Sequence, residues 1–196
     1  MDNINKAIWA KFRVKRYDSL PFVGWAKETT RIGLAQLFGE LGYKKGVEIG
    51  VQAGVYSEIL CQNIPNHELY CIDPWHEYNR ESEEKAEIYY DIAKEKLSKY
   101  NATLMRMPSM EAVKEFTDNS LDFCYIDGMH EFDQCMLDLI YWSPKVKSGG
   151  IVAGHDYYHF YQDGVIRAVN TYTSAHNIGM WYVTREKEPS YFWVKQ

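Results

Sequence analysis

Short apolar runs alternate with longer amphipathic segments along most of the chain. We predict strands in seven runs rich in apolar and β-branched residues: 46–50, 68–72, 102–107, 121–126, 150–154, 180–184 and 191–195. Apolar residues recur at helical spacing in 1–12, 24–41, 55–63, 82–99, 109–116, 131–142 and 163–175, which predicts seven helices. The repeated strand–helix order predicts a parallel sheet with helices on both faces. The last two strands lie so close in sequence that we expect an antiparallel hairpin at the edge of this sheet.

Length and composition narrow the class of protein. The chain of 196 residues suits one domain, 1–196, in which a helical and irregular extension (1–27) precedes an α/β core (28–196). Its net charge of −5 argues against a general nucleic-acid-binding protein, which needs a basic surface. No apolar run approaches the roughly 18 residues of a membrane span, and no signal peptide is recognisable. We therefore expect a cytoplasmic protein without a membrane partner.

The segment 45–57 carries the most specific local signal. A β-branched run reaches Glu48, glycines follow at Gly50 and Gly54, and a helical pattern then begins. Such a strand–turn–helix unit holds nucleotide-like ligands against backbone. The glycine spacing differs from that of dinucleotide-binding enzymes, so we expect adenosine on a small ligand. The next predicted strand ends on Asp73, a carboxylate that can accept hydrogen bonds from both hydroxyls of a ribose.

Polar residues follow each of the five predicted parallel strands. Ligands of open α/β sheets bind beyond the carboxyl ends of the strands, so these residues are expected to meet in one crevice. In chain order they are Glu48, Gly50 and Gly54; Asp73, Pro74 and Trp75; Ser109; Asp127, Gly128 and His130; and His155 and Asp156.

These motifs resemble those of class I S-adenosylmethionine-dependent methyltransferases, in particular a small bacterial branch. The matching segments are E-I-G-V-Q-A-G at 48–54, I-D-P-W at 72–75, Y-I-D-G-M-H at 125–130 and G-H-D-Y at 154–157. The resemblance covers approximately residues 28–175. It implies a Rossmann-like, doubly wound sheet of seven strands in the order 3-2-1-4-5-7-6, with strand 7 antiparallel. It also implies S-adenosylmethionine as cofactor.

The resemblance assigns a cofactor-binding set. Gly50 and Gly54 would approach the amino-acid portion of the cofactor, and Asp73 would bind its ribose. Glu48 either faces the methionyl end or is a solvated acid at a strand end. Ser109 is either the N-cap of a helix or part of the adenine pocket. The whole set is Glu48, Gly50, Gly54, Tyr56, Ser57, Asp73, Pro74, Trp75, Ser109, Asp127 and Gly128.

Four residues decide the chemistry expected of such an enzyme. The resemblance extends to metal-dependent O-methyltransferases, in which Asp127, His155 and Asp156 would hold a divalent cation and His130 would be the base. A histidine ligand departs from the all-oxygen set that suits Mg²⁺ and shifts the preference towards Mn²⁺, Fe²⁺ or Zn²⁺. Alternatively, Asp127 only hydrogen-bonds the turn backbone and His155 only orients Asp156.

The acceptor is expected to be a small molecule, with a sugar or secondary-metabolite hydroxyl as the first candidate. The aromatic segment 157–161 can clamp such an acceptor, or it can pack on the last helix or on a homodimer partner. Residues 73–83, which include His76, Tyr78 and Asn79, can form the opposite wall or a lid. Two alternative functions remain: another adenosyl-ligand enzyme, such as an aminopropyl transferase using a decarboxylated cofactor, and a non-catalytic cofactor-binding protein.

Overall fold

The computed structural model describes residues 2–15, 19–76 and 82–196. Its helices are α1 (Asn3–Phe12), α2 (Arg31–Glu40), α3 (Val55–Asn63), α4 (Glu83–Leu97), α5 (Ser109–Ala112), α6 (Phe132–Trp142) and α7 (Gly164–Ala175). Its strands are β1 (Phe22–Val23), β2 (Lys45–Ile49), β3 (Glu68–Asp73), β4 (Ala102–Arg106), β5 (Leu121–Ile126), β6 (Val146–Gly154), β7 (Trp181–Val183) and β8 (Tyr191–Val194). Short 3₁₀ turns follow α5 and α6 and precede α7.

The strands form one sheet in the order β1-β7-β8-β6-β5-β2-β3-β4. Strands β2 to β6 are parallel, and β8 is antiparallel to both β6 and β7. The predicted α/β class, the order of the seven predicted strands and the antiparallel hairpin are therefore confirmed. The order reverses between β2 and β5, and the crevice of an open sheet lies at such a point.

An eighth strand corrects the predicted strand count. β1 lies in the segment predicted to be an irregular extension, and Phe22 and Val23 pair in parallel with β7. Two residues are too few for a strand pattern to be recognised in the sequence. Helix α1 packs beside it, because the Tyr182 hydroxyl donates to Asn5 Oδ1 at 2.6 Å and Phe12 contacts Phe192 edge to face. The N-terminal segment thus extends the sheet and its core.

Two hydrophobic clusters cover the two faces of the sheet. One contains residues of α1 to α4, including Leu34, Leu60 and Leu97, and the other contains residues of α5 to α7, including Leu139 and Val169. This is the doubly wound arrangement predicted from the strand–helix order. The four cysteines are buried and free. None of the helices formed by the described residues has the length and apolar character needed to cross a membrane.

Two helices differ in extent from their prediction. Helix α2 starts at Arg31 rather than near residue 24, because the Thr30 side chain caps it by accepting from the Gly33 N–H at 3.2 Å. The helix predicted at 109–116 is α-helical only to Ala112 and continues as a 3₁₀ turn to Glu115. The first change affects the site, since Arg31 begins α2.

Candidate active site

A cavity of about 640 Å³ opens at the carboxyl ends of the central parallel strands. Most of the predicted site residues line it: Gly50, Tyr56, Asp73, Pro74, Trp75, Ser109, Asp127, Gly128, His130 and Asp156. The predicted residues that are not in its wall are Glu48, Gly54, Ser57 and His155. Residues that line it without having been predicted include Arg31, Gln134 and Asp138.

Gly50 brings the end of β2 against the end of β5. Its φ is +86°, and a Cβ at this position would lie 2.0 Å from the Asp127 carbonyl oxygen. Its N–H donates to the Ile72 carbonyl at 2.8 Å. Only glycine fits such a backbone approach in this conformation. The turn therefore sets the floor of the cavity at the junction of three strands.

Asp73 is held by the backbone of the same turn. Its Oδ2 accepts from the N–H groups of Val51 at 3.0 Å and Gln52 at 2.9 Å, and its Oδ1 accepts from the Trp75 N–H at 2.8 Å. A carboxylate has about four acceptor sites, two on each oxygen, so the three backbone N–H groups leave one site open, on Oδ1. The carboxylate is fixed in the wall rather than free to rotate.

Trp75 is both a buried aromatic residue and part of the cavity wall. It is 2% exposed, adopts a left-handed φ of +42°, and its indole N–H donates to the Gln52 carbonyl at 2.8 Å. Its ring meets Tyr90 edge to face at 5.0 Å. The indole is therefore anchored to the Gly50 turn. Of the predicted opposite wall, His76 lines the cavity, and Tyr78 and Asn79 lie outside the described residues.

Glu48 lies behind the wall rather than in solvent, which corrects one of its two predicted roles. It is 1% exposed, and its carboxyl group accepts a hydrogen bond from the Ser57 hydroxyl. Burial raises the pKa of Glu48 to about 8, although the Ser57 hydrogen bond acts in the opposite direction. Ser57 thus binds this buried acid instead of facing the cavity.

Gly54 also differs from its prediction. It has a φ of +69° and begins α3, but its Cα faces α4: a Cβ there would lie 3.3 Å from Ala93 Cα and from Leu97 Cδ1. The second glycine of the motif is therefore explained by helix packing. Gly50 alone makes the close backbone approach at the cavity.

Ser109 does not cap its helix as one of its predicted roles requires. It is the first residue of α5, and its hydroxyl donates to Asp138 Oδ1 at 2.7 Å. Asp138 is a buried acid of α6, and burial raises its pKa to about 6 against the effect of the Ser109 hydrogen bond. The sequence did hold a signal, since Asp138 shares its helix face with the apolar residues Cys135 and Leu139.

Three of the residues expected to do chemistry converge at the other end of the cavity. One potential ligand atom from each of Asp127, His130 and Asp156 lies within 4.8 Å of the others. His130 Nε2 is 2.6 Å from Asp156 Oδ2, but among the described residues this buried nitrogen has no partner in hydrogen-bond geometry. Burial would lower the pKa of His130, yet the Asp156 carboxylate outweighs it and raises this pKa. Although burial opposes it, the two neighbouring histidines hold the pKa of Asp156 well below its usual range.

His155 lies beside this centre rather than in it. Its Nδ1 is 3.3 Å from Asp156 Oδ1 and 3.6 Å from Asp127 Oδ1, and the residue is 7% exposed. Burial alone would lower its pKa, but the two carboxylates raise it to about 10. The group of potential ligand atoms within 4.8 Å of one another contains His130 and the two acids, and the predicted ligand His155 is not part of that group.

An aromatic group borders His130. The Phe160 and Tyr161 rings lie 5.5 Å and 5.6 Å from its imidazole, and Tyr158 stacks on Phe160 at 5.3 Å. Tyr157 instead packs edge to face on Trp181. Within this segment, Tyr157 therefore packs on the sheet, whereas Phe160 and Tyr161 lie next to the His130 imidazole.

Arg31 is a wall residue that sequence reasoning missed. Its guanidinium carbon lies 5.5 Å from the Tyr56 ring centroid, and its carbonyl accepts from the Tyr56 hydroxyl at 2.9 Å. The β7–β8 hairpin fixes this end of α2, since the Arg31 N–H donates to Glu186 Oε1 at 2.7 Å and the Arg185 N–H donates to the Thr29 carbonyl at 2.8 Å. Arg31 belongs to none of the strand-end motifs, and only the folding of the chain brings it to the cavity wall.

Comparison with known proteins agrees with this architecture. The O-methyltransferase from Bacillus cereus, solved in complex with SAH, has a TM-score of 0.65 at 12% identity over 98% of this chain and 90% of that one. Cofactor-bound Rv0187 from MTB has a TM-score of 0.61 at 13% identity over 100% and 91%. At these identities the likeness shows the shared fold.

Sequence comparison gives the family. The protein y4gI of Sinorhizobium fredii is 25% identical in an alignment 120 residues long. That alignment covers 56% of this chain and only 13% of the much longer relative. The family model described as a methyltransferase domain matches residues 47–157, from β2 to the residue after Asp156. Since this is more than half of the chain, the chain belongs to the methyltransferase-domain family, in agreement with its motif resemblance to class I S-adenosylmethionine-dependent enzymes.

Proposed function

We propose that the protein transfers the methyl group of S-adenosylmethionine to a hydroxyl of a small-molecule acceptor, with a sugar hydroxyl as the first candidate. The observation that carries the proposal is the convergence of Asp127, His130 and Asp156 in the same cavity as the Gly50 turn and Asp73. The sulfonium is already a good leaving group, so the protein mainly aligns the reactants. A hydroxyl acceptor must also lose its proton, which requires a base or a cation.

The two ends of the cavity have different roles in this proposal. The cofactor half is formed by Gly50, Asp73 and Trp75, at the ends of β2 and β3. There the fixed Asp73 carboxylate would accept from a ribose hydroxyl at Oδ1, the oxygen that accepts from only one backbone N–H. The acceptor half is formed by Asp127, His130 and Asp156, and the rings of Phe160 and Tyr161 lie beside His130.

Arg31 favours a cofactor that keeps its carboxylate. Its guanidinium lines the cavity near Tyr56, and no described carboxylate lies within ion-pairing distance of it. A guanidinium binds a carboxylate with charge-assisted hydrogen bonds. We therefore assign it to the carboxylate of the methionyl portion, which the decarboxylated cofactor of an aminopropyl transferase lacks. Arg31→Gln is expected to weaken binding of S-adenosylmethionine about tenfold and leave binding of its decarboxylated analogue nearly unchanged.

His130 is proposed as the base that takes the acceptor's proton. Its contact with Asp156 raises its pKa above the ordinary value of 6.5, so the imidazole is a stronger base than that of a free histidine. The Asp156 carboxylate also orients the ring. The rings of Phe160 and Tyr161 lie against the imidazole, 5.5 Å and 5.6 Å from it.

The same centre fits a divalent cation. Asp127, His130 and Asp156, each with one potential ligand atom within 4.8 Å of the others, are the residues that would hold it. A nitrogen beside two carboxylates suits Mn²⁺, Fe²⁺ or Zn²⁺ better than Mg²⁺. When bound, such a cation would lower the pKa of a hydroxyl in contact with it.

The proposal is tested in two steps. Calorimetry with S-adenosylhomocysteine is expected to give a saturable binding isotherm, and labelled S-adenosylmethionine is expected to transfer methyl groups to members of a panel of glycosides and phenols. Binding without turnover on any acceptor would favour the non-catalytic alternative, and absence of binding would contradict the proposal. Turnover that survives exhaustive chelation but not His130→Ala would assign His130 as the base, and loss on chelation with rescue by Mn²⁺ would assign the cation.

A further inference from the structure

Arg106 ends β4 and reaches across the end of β3, although it takes no part in the proposed chemistry. Its Nη2 donates to the Trp75 carbonyl at 3.0 Å, and its Nη1 donates to Glu87 Oε1 at 3.2 Å. Nη2 also contacts Glu87 Oε2, so the ion pair is a two-pronged contact of a kind that lysine does not make. The side chain is 35% exposed, and Arg106 is not in the cavity wall.

Trp75 is the residue through which this contact reaches the cavity. Its N–H donates to Asp73 Oδ1 at 2.8 Å, and its indole N–H donates to the Gln52 carbonyl at 2.8 Å. Its carbonyl accepts from Arg106, so each of its polar groups has a partner. Asp73 and Gln52 both line the cavity. Arg106 is therefore the partner that supports Trp75 from outside the wall.

The conformation of Trp75 needs such support. Its φ is +42°, and a left-handed backbone is rare at a bulky residue and persists only where the surrounding structure fixes it. Its ring meets Tyr90 edge to face, and the Arg106 guanidinium carbon lies 4.7 Å from the centroid of the Tyr90 ring. Glu87 and Tyr90 are three residues apart on α4 and share one face of that helix. Arg106, Glu87 and Tyr90 thus form a clamp that joins β4 and α4 to Trp75.

We infer that Arg106 is a positioning residue for the cofactor. By holding the Trp75 carbonyl, it keeps the Trp75 N–H on Asp73 Oδ1, the oxygen proposed to receive a ribose hydroxyl. This inference rests on the proposed function, because it takes the ligand of the cofactor half to be an adenosyl compound. Without the clamp, Trp75 is free to relax to an ordinary φ in the ligand-free protein. Affinity then falls in proportion to the fraction of molecules that still have the binding arrangement.

The test measures the dissociation constant of S-adenosylhomocysteine by calorimetry. In Arg106→Gln this constant is expected to rise about five- to tenfold, while the binding stoichiometry stays at the wild-type value. A loss of stability alone would instead lower the fraction of protein able to bind and leave the dissociation constant of the folded fraction unchanged. Glu87→Gln keeps the bond from Arg106 to the Trp75 carbonyl and is expected to change the constant less than about threefold.

Lys45→Gln is the matched control. Lys45 pairs with Glu68 at 3.3 Å, its ammonium lies 5.3 Å from the centroid of the Tyr70 ring, and its side chain is 37% exposed. The control therefore removes an ion pair and a ring contact similar to those of Arg106. Lys45 and Glu68 begin β2 and β3, whereas the cavity lies at the carboxyl ends of these strands. This variant should bind S-adenosylhomocysteine with wild-type affinity.

The outcomes separate this inference from the proposed function. Wild-type affinity in Arg106→Gln would overturn the positioning role and leave the proposed function standing, and so would an equal loss of affinity in Lys45→Gln or Glu87→Gln. If Arg106→Gln does not fold, Arg106→Lys replaces it: this variant keeps the charge without the two-pronged contact, and a rise of about threefold is expected. An unchanged constant in Arg106→Lys would then overturn the role. Failure of the wild-type protein to bind S-adenosylhomocysteine at all would overturn both.

Discussion

The cofactor half of the cavity is built mostly from backbone, whereas the acceptor half is built from titratable side chains. In the cofactor half, Gly50 meets the Asp127 carbonyl and Asp73 accepts from three backbone N–H groups. In the acceptor half, two acids and two histidines lie close together, and the pKa values of the histidines are raised while that of Asp156 is lowered. The geometry of a site built from backbone is determined by the fold. The charge and reactivity of a site built from coupled ionisable groups are determined by their protonation and by any bound cation.

This difference predicts how each half responds to change. Substitutions in the cofactor half should damage folding and cofactor binding together, because the same hydrogen bonds serve both. Substitutions in the acceptor half should leave the fold intact and reduce turnover. Left-handed φ angles occur in both halves, at Trp75 in the cofactor half and at Asp156 in the acceptor half, and such backbone is often found at functional sites.

Gly50→Ala is expected to have the largest effect. A methyl group 2.0 Å from a carbonyl oxygen forces β2 and β5 apart at a left-handed φ, so unfolding should become easier by more than about 3 kcal/mol, with loss of S-adenosylhomocysteine binding. Gly42→Ala is the control, since Gly42 also has a positive φ but has no atom within 4 Å of the new Cβ, and about 1 kcal/mol is expected. Urea denaturation and calorimetry measure both. Similar losses in the two variants would contradict the close-approach argument.

Asp156→Asn tests the acceptor half. Turnover should fall about 10²- to 10⁴-fold, because His130 loses the charge that orients it and raises its pKa. Affinity for S-adenosylhomocysteine should remain close to wild type, and the protein should still fold, with a lower stability at neutral pH because the lowered pKa of Asp156 means that its charge stabilises the folded state. Asp163→Asn removes a more exposed carboxylate in the same loop, paired with His159, and should have little effect on turnover. A large loss of cofactor affinity in Asp156→Asn would mean that the two halves are not separable.

Glu48 makes the stability of the folded protein depend on pH. Burial raises its folded-state pKa from 4.5 to about 8, so over this range the folded protein holds a proton that the unfolded chain has lost. Stability contributed at this position therefore falls as pH rises from about 5 to 8, by up to about 1.4 kcal/mol per pH unit. The free energy of unfolding of the wild type minus that of Glu48→Gln should show this slope, whereas the exposed Glu95→Gln should give none. A flat difference would indicate that Glu48 is ionised in the folded protein.

Phe160→Ala is expected to have the smallest effect. Phe160 is 40% exposed and contacts His130 and Tyr158, so removing it should raise KM for the acceptor about two- to tenfold with little change in kcat. Cofactor affinity should not change. Tyr141→Ala, which removes an exposed ring of α6, is the control. A fall in kcat with unchanged KM would assign the ring to the chemical step rather than to acceptor binding.

Sequence reasoning reached the parts of this molecule that are encoded locally. β2, β3, β5 and β6 are long buried runs, and their polar terminal residues could be located from the strand pattern alone. The two residues of β1 carry no such pattern, because their pairing with β7 depends on contacts far apart in the chain.

The same limit explains the errors at the site. His155 and His130 both follow strands, and only the folded loops decide which imidazole joins Asp127 and Asp156; the left-handed φ of Asp156 is part of that arrangement. Gly54 was predicted from its motif to approach the ligand, but its space is taken by α4, which is contributed by a later segment. Arg31 and Asp138 belong to helices whose sequence gives no position relative to the cavity.

The hydrogen bonds from the β7–β8 hairpin to the start of α2 have a consequence for how relatives of this protein can diverge. A change at Glu186 alters the placement of Arg31 without touching the ligand space itself. Natural variation in a surface turn can therefore adjust how long the cofactor resides, while the reacting groups at the opposite end stay constant.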